Sequence, residues 1–178
     1  GNYAYIDTLN EARKVLVSEM GGTLVTIAKD VKLQLEFNPA EVQAWRLIGY
    51  ENRVLAHQDF NDDTKDAGEI GAGHTVTALY EIVPVGVPFQ VPGVDPLKYQ
   101  ATTSPTAAAR SGELLNVKLR YKAPNGDTSR LLETPVHTTN ASWQEAHPDF
   151  KWASAVAGFG LVLRKSANVG AFGLKDAL

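Results

Sequence analysis

An acidic segment at residues 59–74, DFNDDTKDAGEIGAGH, holds the side chains of this chain that are best suited to chemistry. Within eleven residues it places six side chains with carboxylate or amide oxygens: Asp59, Asn61, Asp62, Asp63, Asp66 and Glu69. Oxygen atoms at this density are the ligands that Ca²⁺ and Mg²⁺ prefer. The first question is therefore whether their spacing could hold a metal ion.

The spacing of the acidic segment fails the EF-hand pattern, which needs oxygen ligands at positions 1, 3 and 5, glycine at 6 and a bidentate Glu at 12. Asp59, Asn61 and Asp63 fit the first three positions, but Thr64 stands at the sixth and Ile70 at the twelfth. We predict a polar connection between two strands, with the glycines at 71 and 73 in a bulge or tight turn. We expect no tight divalent cation site; the alternative is an adventitious cation.

Other catalytic and metal-binding patterns are missing from the sequence. The chain has no cysteine, which excludes thiolate metal sites and cysteine nucleophiles. It has no G-x-S-x-G elbow, P-loop or G-x-G-x-x-G fingerprint. Its histidines occur singly, without metal-ligand spacing, at His57, His74, His137 and His147. We predict no catalytic residue, no cofactor-binding residue and no metal ligand, and hence a protein that is not an enzyme.

Charge and hydropathy restrict the partners of the chain. A formal net charge of −3 without a Lys/Arg cluster predicts no nucleic-acid binding. The longest apolar run, residues 152–163, is shorter than the roughly twenty residues of a membrane span. It therefore predicts a buried helix and no membrane span. The chain starts GNYAYID, without methionine or a leader, so we expect a piece or processed product of a longer protein.

The first element that could position these residues is a helix over residues 8–20. Thr8 and Glu11 have the spacing of a capping box, and Gly21-Gly22 supplies a stop signal. A short strand is predicted before the helix, at residues 2–7. An apolar stripe at helical spacing is a candidate interface, made of Leu9, Ala12, Leu16 and Met20.

Alternating apolar residues predict strands over residues 26–37, 41–50 and 74–85. In the first of these, Val31, Leu33, Leu35 and Phe37 should face the core while Lys32, Gln34 and Glu36 face solvent. Five prolines between residues 84 and 111 then predict a long irregular excursion, with a short edge strand near residues 97–100.

A hairpin and a helix complete the prediction. Asn125-Gly126 predicts a two-residue type I′ turn, in which Gly126→Val would cost roughly 1 kcal/mol or more. The last helix should start near Pro148, with His147 in a capping role. Its small residues Ala153, Ala157 and Gly160 should let it lie close to a sheet. The elements together predict an α+β, mainly β class: an antiparallel β-sandwich with an N-terminal and a C-terminal helix packed on it.

Several stretches resemble a known bacterial family. NYAYIDTLNEARKVLVSEMGGTLVTIAKDVKLQLEFNP resembles the end of a von Willebrand factor type A domain. VQAWRLIGYENR, DAGEIGAGHTVTALYEI and ELLNVKLRYKAPNGDTS resemble the C-terminal domain of unknown function that follows it, and FKWASAVAGFGLVLR is similar to a later helix there. The resemblance implies that residues 1–25 are the last strand and helix of a truncated type A domain, and that residues 26–178 are the sandwich domain.

The resemblance also carries expectations about function. Type A domains bind Mg²⁺ through an Asp-x-Ser-x-Ser motif, which does not occur in these residues, so no metal ligand is implied here. It implies a non-catalytic structural or interaction module in the bacterial cell envelope or periplasm. The expected partners are an upstream type A domain and an unidentified protein, with a helix-mediated dimer of the truncated piece. The alternative is a ligand-binding or hydrolytic sandwich in the excursion 84–111, combining Tyr99 with His74 or His137 and a carboxylate.

Overall fold

The computed structural model describes residues 5–18, 25–50, 54–89, 104–139 and 141–177. The elements are α1 (Leu9–Arg13) with a π-helical turn (Lys14–Ser18), β1 (Thr26–Phe37), β2 (Val42–Ile48), β3 (Gly68–Gly71), β4 (Leu79–Pro84), β5 (Glu113–Lys122), β6 (Arg130–His137) and α2 (Pro148–Leu163). Short 3-10 turns lie at His57–Phe60, Ala107–Arg110, Trp143–Glu145 and Leu174–Ala177. The predicted α+β, mainly β class is confirmed; the sandwich stays a prediction.

The chain forms two compact units. The first unit contains Gly1–Asn38, Val54–Val76 and Leu115–Val136, and the second contains Pro39–Arg53, Thr77–Leu114 and His137–Leu178. The four-stranded sheet, in the order β3-β1-β5-β6, gives the first unit its framework. The second unit is built from the two-stranded sheet β2-β4 and from α2.

Strand β1 is the centre of the first unit. It pairs antiparallel with β5, in a register that sets Leu33 opposite Leu119 and Leu35 opposite Val117. The predicted strand is confirmed, and its predicted faces hold at its end, where Leu35 and Phe37 are half-buried and Glu36 is exposed. They are wrong at Lys32, which is buried, and at Leu33, which is 44% exposed. These two residues come directly after a register irregularity between Lys29 and Lys32, and an extra residue in a strand disturbs the facing of its neighbours.

The acidic segment contains a strand, which corrects the prediction of a simple connection. A 3-10 turn at His57–Phe60 precedes it, and β3 pairs antiparallel with β1, with Gly68 opposite Val31 and Ile70 opposite Ala28. Glycine weakens a strand and is a poor signal for one. A four-residue strand with a glycine at each end, GEIG, therefore has no periodicity by which it could be recognised.

The β5–β6 connection spans residues 123–129, and the predicted two-residue type I′ turn is wrong. The amide of Gly126 donates to the carbonyl of Ala123 at 2.9 Å, and Pro124 occupies the second position of this turn. Both Asn125 and Gly126 are described, and neither has a positive φ. Proline sets φ near −65°, which suits type I and II turns and excludes type I′ at that register. The strain expected for Gly126→Val therefore has no basis.

In the second unit, β2 and β4 pair antiparallel, with Trp45 opposite Ile82 and Leu47 opposite Tyr80. The rings of Trp45 and Tyr80 lie 6.1 Å apart between centroids, a separation typical of aromatic pairs. The strand predicted over residues 74–85 begins only at Leu79. In the described part of the chain, this sheet therefore consists of two short strands.

Helix α2 begins where the sequence predicts. Pro148 occupies its first turn, and the Nδ1 atom of His147 accepts a hydrogen bond from the Asp149 amide at 3.3 Å, which confirms the capping role. The predicted close approach at Gly160 is wrong, because a Cβ built there meets no described atom within 4 Å. Gly158 is the crowded position instead, since its Cβ would lie 2.6 Å from the ring of Phe172.

The end of α2 has the hydrogen bonds of a Schellman motif. The Lys165 amide donates to the carbonyl of Val162, and the Ser166 amide donates to that of Leu161, both at 3.0 Å. The left-handed position is filled by Lys165, with a φ of 52°, where glycine is normally found. A lysine in this conformation is strained by the contact of its Cβ with the following carbonyl.

Relief of this strain should stabilise the protein. Lys165→Gly is expected to raise the free energy of unfolding by about 0.5–1 kcal/mol, as strain relief exceeds the entropy of a glycine in the unfolded chain. Arg164→Gly is the matched control, because Arg164 has a helical φ of −79° and gains nothing from glycine. Thermal melts should move up for the first variant and down for the second; equal shifts would contradict the explanation.

Candidate functional site

The acidic segment covers three cations of the first unit, which we call the cation cluster. Lys32 lies on β1, and Arg120 and Lys122 lie on β5, with Lys32 and Arg120 directly opposite in the strand register. Lys32 is 4% exposed and Lys122 is 8% exposed. Lysine is almost never this buried without partners. The role of the acidic segment therefore depends on which of its groups bind these two ammonium ions.

The ammonium of Lys32 is bound by backbone carbonyls of the acidic segment. Its Nζ atom donates to the carbonyl of Asp59 at 3.0 Å and also donates to the carbonyl of Asp62. The Asp62 carboxylate turns back on its own chain and accepts from the amide and the hydroxyl of Thr64, at 2.9 and 2.6 Å. Two carbonyl oxygens of the segment thus bind one buried cation.

Lys122 forms the second attachment. Its Nζ atom lies 2.6 Å from the Oδ2 atom of Asp30 and 2.7 Å from the carbonyl oxygen of Asp63. Asp30 sits in the irregular part of β1 with a φ of 51°, and its other carboxylate oxygen accepts from the Ala67 amide at 3.2 Å. Asp30 therefore joins β1, β5 and the acidic segment at one point.

An aromatic side chain anchors the same segment. Phe60 is 5% exposed and is one of two apolar side chains in the described residues that are buried. The guanidinium carbon of Arg120 lies 5.7 Å from the centre of its ring, within cation–π range, and Arg120 Nη1 donates to the Ser129 hydroxyl at 2.8 Å. The Asp63 carboxylate accepts from the Ser129 amide at 3.2 Å. The acidic segment is thereby fixed to the β5–β6 connection.

These contacts keep the carboxylates charged. The hydrogen bond from Lys122 holds the pKa of Asp30 below its usual range, and in return Asp30 raises the pKa of Lys122. The Thr64 hydroxyl lowers the pKa of Asp62, and the Ser129 hydroxyl lowers that of Asp63. Carboxylates with lowered pKa values are poor general acids near neutral pH. In the described contacts these carboxylates accept hydrogen bonds from groups of their own chain.

The lowered pKa of Asp30 predicts an acid-sensitive contribution to stability. A group whose pKa is lower in the folded state stabilises above its unfolded pKa and loses that contribution as pH falls through the folded value. The melting midpoint of the wild-type protein should therefore drop as pH falls below about 4. The difference between wild type and Asp30→Asn should be largest near neutral pH and should shrink in acid. A difference that does not vary with pH would contradict the ion pair.

His57 and His137 each have a polar neighbour within their own unit. The Nδ1 atom of His57 lies 3.4 Å from the Gln34 amide nitrogen, and His137 Nδ1 lies 3.2 Å from the carbonyl of Gly112. Over the described ranges, no three His, Asp or Glu side chains form a group that could hold a metal ion. Half of the excursion proposed as the alternative site, residues 90–103 with Tyr99, lies outside the described residues.

The candidate interface on the first helix is exposed. Leu9 and Leu16 are 73% and 59% exposed, Ala12 is half-buried, and Met20 lies outside the described residues. The helix predicted over residues 8–20 is α-helical from Leu9 to Arg13 and π-helical from Lys14 to Ser18, and residues 19 and 20 lie outside the described residues. The predicted cap is present, since the Thr8 hydroxyl accepts from the Glu11 amide at 3.2 Å.

The segment before α1 corrects one prediction and enlarges the apolar surface. Residues 5–7 are not in a strand, and residues 2–4 lie outside the described residues. Tyr5 is 81% exposed, and Val17 on the π-helical turn is 69% exposed. The predicted helical stripe omits both side chains. Tyr5 precedes the helix, and Val17 lies on the π-turn, where the helical periodicity changes. Residues 5–17 thus expose apolar side chains along their length.

Comparison with known proteins identifies the family. Residues 22–178 match the family model described as "Uncharacterized protein YfbK, C-terminal". The chain belongs to this family. The match leaves α1 and the residues before it outside the C-terminal family region.

A curated relative shows how much of a longer protein this chain represents. It is 46% identical over 166 residues to the "Uncharacterized protein YfbK" of Escherichia coli strain K12, covering 93% of this chain and 28% of the relative. The chain thus spans less than a third of that relative's length. No solved structure gives a significant match. Within the described ranges, no helix is long and apolar enough to cross a membrane.

Proposed function

We propose that residues 22–178 are a non-catalytic interaction module that works beside a preceding domain of the same protein, and that α1 is the junction between them. One observation carries this proposal. The apolar side chains of Leu9 and Leu16 are exposed on a helix that lies before the family match. An exposed apolar patch on a soluble protein marks a site of association.

The unpacked apolar face of the helix supports the same proposal. Isolated helices shorter than about 12–15 residues are marginal in water, and most helices in proteins depend on packing of their apolar face. Among the described residues, the α1 segment with its π-turn runs from Leu9 to Ser18, and its apolar side chains at Leu9 and Leu16 are exposed. Since the E. coli relative extends far beyond the matched region, we propose that the cover lies in the preceding region. A type A domain in the bacterial cell envelope or periplasm is the form we propose for that region.

The acidic segment supports the non-catalytic part of the proposal. Its carbonyls bind Lys32 and Lys122, and its Asp62 and Asp63 carboxylates accept hydrogen bonds from neighbouring Thr64 and Ser129. The most acidic stretch of the chain is therefore used for packing.

A two-stranded sheet such as β2–β4 is marginally stable by itself. This supports a β-sandwich as the fold that we propose for the module.

Reconstitution from two pieces tests the junction. The part of the E. coli relative that precedes its matched region would be produced separately and titrated with this chain by calorimetry. We expect saturable binding, which Leu9→Asp with Leu16→Asp should abolish because it places charge in the apolar contact. Leu174→Asp is the control, since Leu174 is 51% exposed in the second unit. The proposal would be wrong if no binding occurred, or if all variants bound equally.

A further inference from the structure

Helix α2 and the end of β2 border an open apolar groove in the second unit. The residues after β2, Gly49 and Tyr50, form one wall with Ile48, and Ala157 of α2 forms the other. Gly160, Leu163 and Arg164 extend the helix wall towards its C-terminal end, and Trp152 and Val156 extend it towards the N-terminal end. The groove therefore follows the helix along most of its length.

The helix is too apolar to be an ordinary surface helix. Between Lys151 and Arg164 it carries no charged side chain. It lies entirely within the described residues, and none of its side chains there is buried. Trp152, Val156 and Leu163 are 73%, 52% and 62% exposed. A helix that is apolar all round is normally buried, so this face lacks its cover.

The residues that line this face have the spacing of a helix–helix seam. Alternating steps of four and three residues, which define such a seam, connect Asp149, Ala153, Val156, Gly160 and Leu163. The small side chains at 153 and 160 would let a second helix approach closely. There is room for it, because a Cβ built on Gly160 meets no described atom within 4 Å.

The charges at the two ends of α2 indicate which helix fits. Asp149, whose side chain is 92% exposed, lies in the first turn, and Arg164 follows the last turn. An antiparallel copy of α2, related by a two-fold axis between residues 156 and 157, sets Asp149 opposite Arg164 twice. The same axis sets Ala153 opposite Gly160. Antiparallel helices also align their dipoles favourably, with each N-terminus beside a C-terminus.

We propose that a second copy of this chain occupies the groove, with its α2 antiparallel to the first, as a symmetric dimer. In a two-fold interface each contact is made twice by the same surface patch. Trp152, Val156 and Leu163 would lose their exposure, and Asp149 of each copy would pair with Arg164 of the other. One helix pair is a small interface, so the dimer is weak and depends on concentration.

A charge exchange tests the proposed orientation. Sedimentation velocity over a concentration series of this chain should show a reversible monomer–dimer equilibrium. Asp149→Arg and Arg164→Asp should each weaken the dimer by at least about tenfold, since each places like charges opposite each other twice. Both changes in one chain should restore it. Failure of the double variant to recover, with melts showing all variants folded, would overturn the antiparallel arrangement.

A second pair of variants tests the surface itself. Val156→Glu places a charge at the centre of the seam and should abolish the dimer. Val85→Glu is matched to it, because Val85 is also a valine of the second unit that is 52% exposed, and it should dimerise as the wild type does. A protein that stays monomeric throughout the series, or a dimer indifferent to Val156→Glu, would overturn the proposal. Binding of the monomer to phospholipid vesicles through Val156 would assign the face to a lipid surface and would also overturn it.

Discussion

Phe60→Ala should lower the free energy of unfolding by about 4 kcal/mol, the cost of emptying a buried phenylalanine site together with the cavity left behind. Phe60 is 5% exposed, and its ring also lies against the Arg120 guanidinium. Removal of the ring therefore detaches the acidic segment at its only buried apolar anchor among the described residues. Urea unfolding followed by circular dichroism measures the change.

Phe150→Ala is the control for Phe60→Ala. Phe150 is 51% exposed, and its ring makes an edge-on contact with Trp143 at 6.1 Å between centroids. An exposed aromatic pair of this kind contributes about 1 kcal/mol. If both variants lost the same small amount of stability, Phe60 would not be an anchor, and the acidic segment would be the simple connection that the sequence predicts.

Lys32→Met should lower the free energy of unfolding by about 3 kcal/mol. Methionine keeps the length and apolar stem of the lysine but leaves the carbonyls of Asp59 and Asp62 without the ammonium that they bind. Buried acceptors that lose their donor cost about 1–3 kcal/mol each in stability. The change should also loosen the turn at His57–Phe60, which hydrogen exchange of its amides would report.

Lys118→Met provides the matched control for Lys32→Met. Lys118 lies on β5 and pairs with Glu36 at 3.1 Å, but the two side chains are 25% and 69% exposed. Solvent-exposed ion pairs contribute about 0–1 kcal/mol. A loss as large for Lys118 as for Lys32 would show that the carbonyl contacts of Lys32 are unimportant, and that any lysine of the sheet is equally needed.

The elements with strong local signals could be predicted from the sequence. Pro148 with His147 marks the start of α2, and apolar alternation marks β1 and β2. The capping position of Thr8 was also predictable from its spacing to Glu11. These signals are local, because a cap or an alternating strand depends on residues a few positions apart.

The cation cluster could not be predicted in the same way. Alternation along β1 puts Lys32 on the solvent face, but Lys32 is buried next to the irregular pairing between Lys29 and Lys32. Its partners lie 27 and 30 residues later in the chain. A carbonyl that binds an ammonium ion has no sequence signature, since every residue carries one. The segment that the sequence marks by its acidic side chains binds the lysines mainly through its backbone carbonyls.

The turn shows a second reason for error, and the end of α2 shows a stop without its usual sequence signal. Asn125-Gly126 is a strong hairpin signal, but Pro124 before it fixes a different turn. The stop of α2 lacks the usual glycine, because Lys165 adopts the left-handed conformation itself. At the turn a neighbouring residue overrides the hairpin signal, and at the helix end a residue without a stop signal ends the helix.

If the family region is a module in its own right and α1 serves another domain, this chain and a form that begins at residue 22 should unfold alike in urea. We expect the same midpoint and the same slope for both forms, because no described contact of the cation cluster involves residues 5–18. The shorter form should differ only by a small loss of helical signal. A shorter form that is unfolded, or that unfolds at a clearly lower urea concentration, would show instead that α1 belongs to the core of the module.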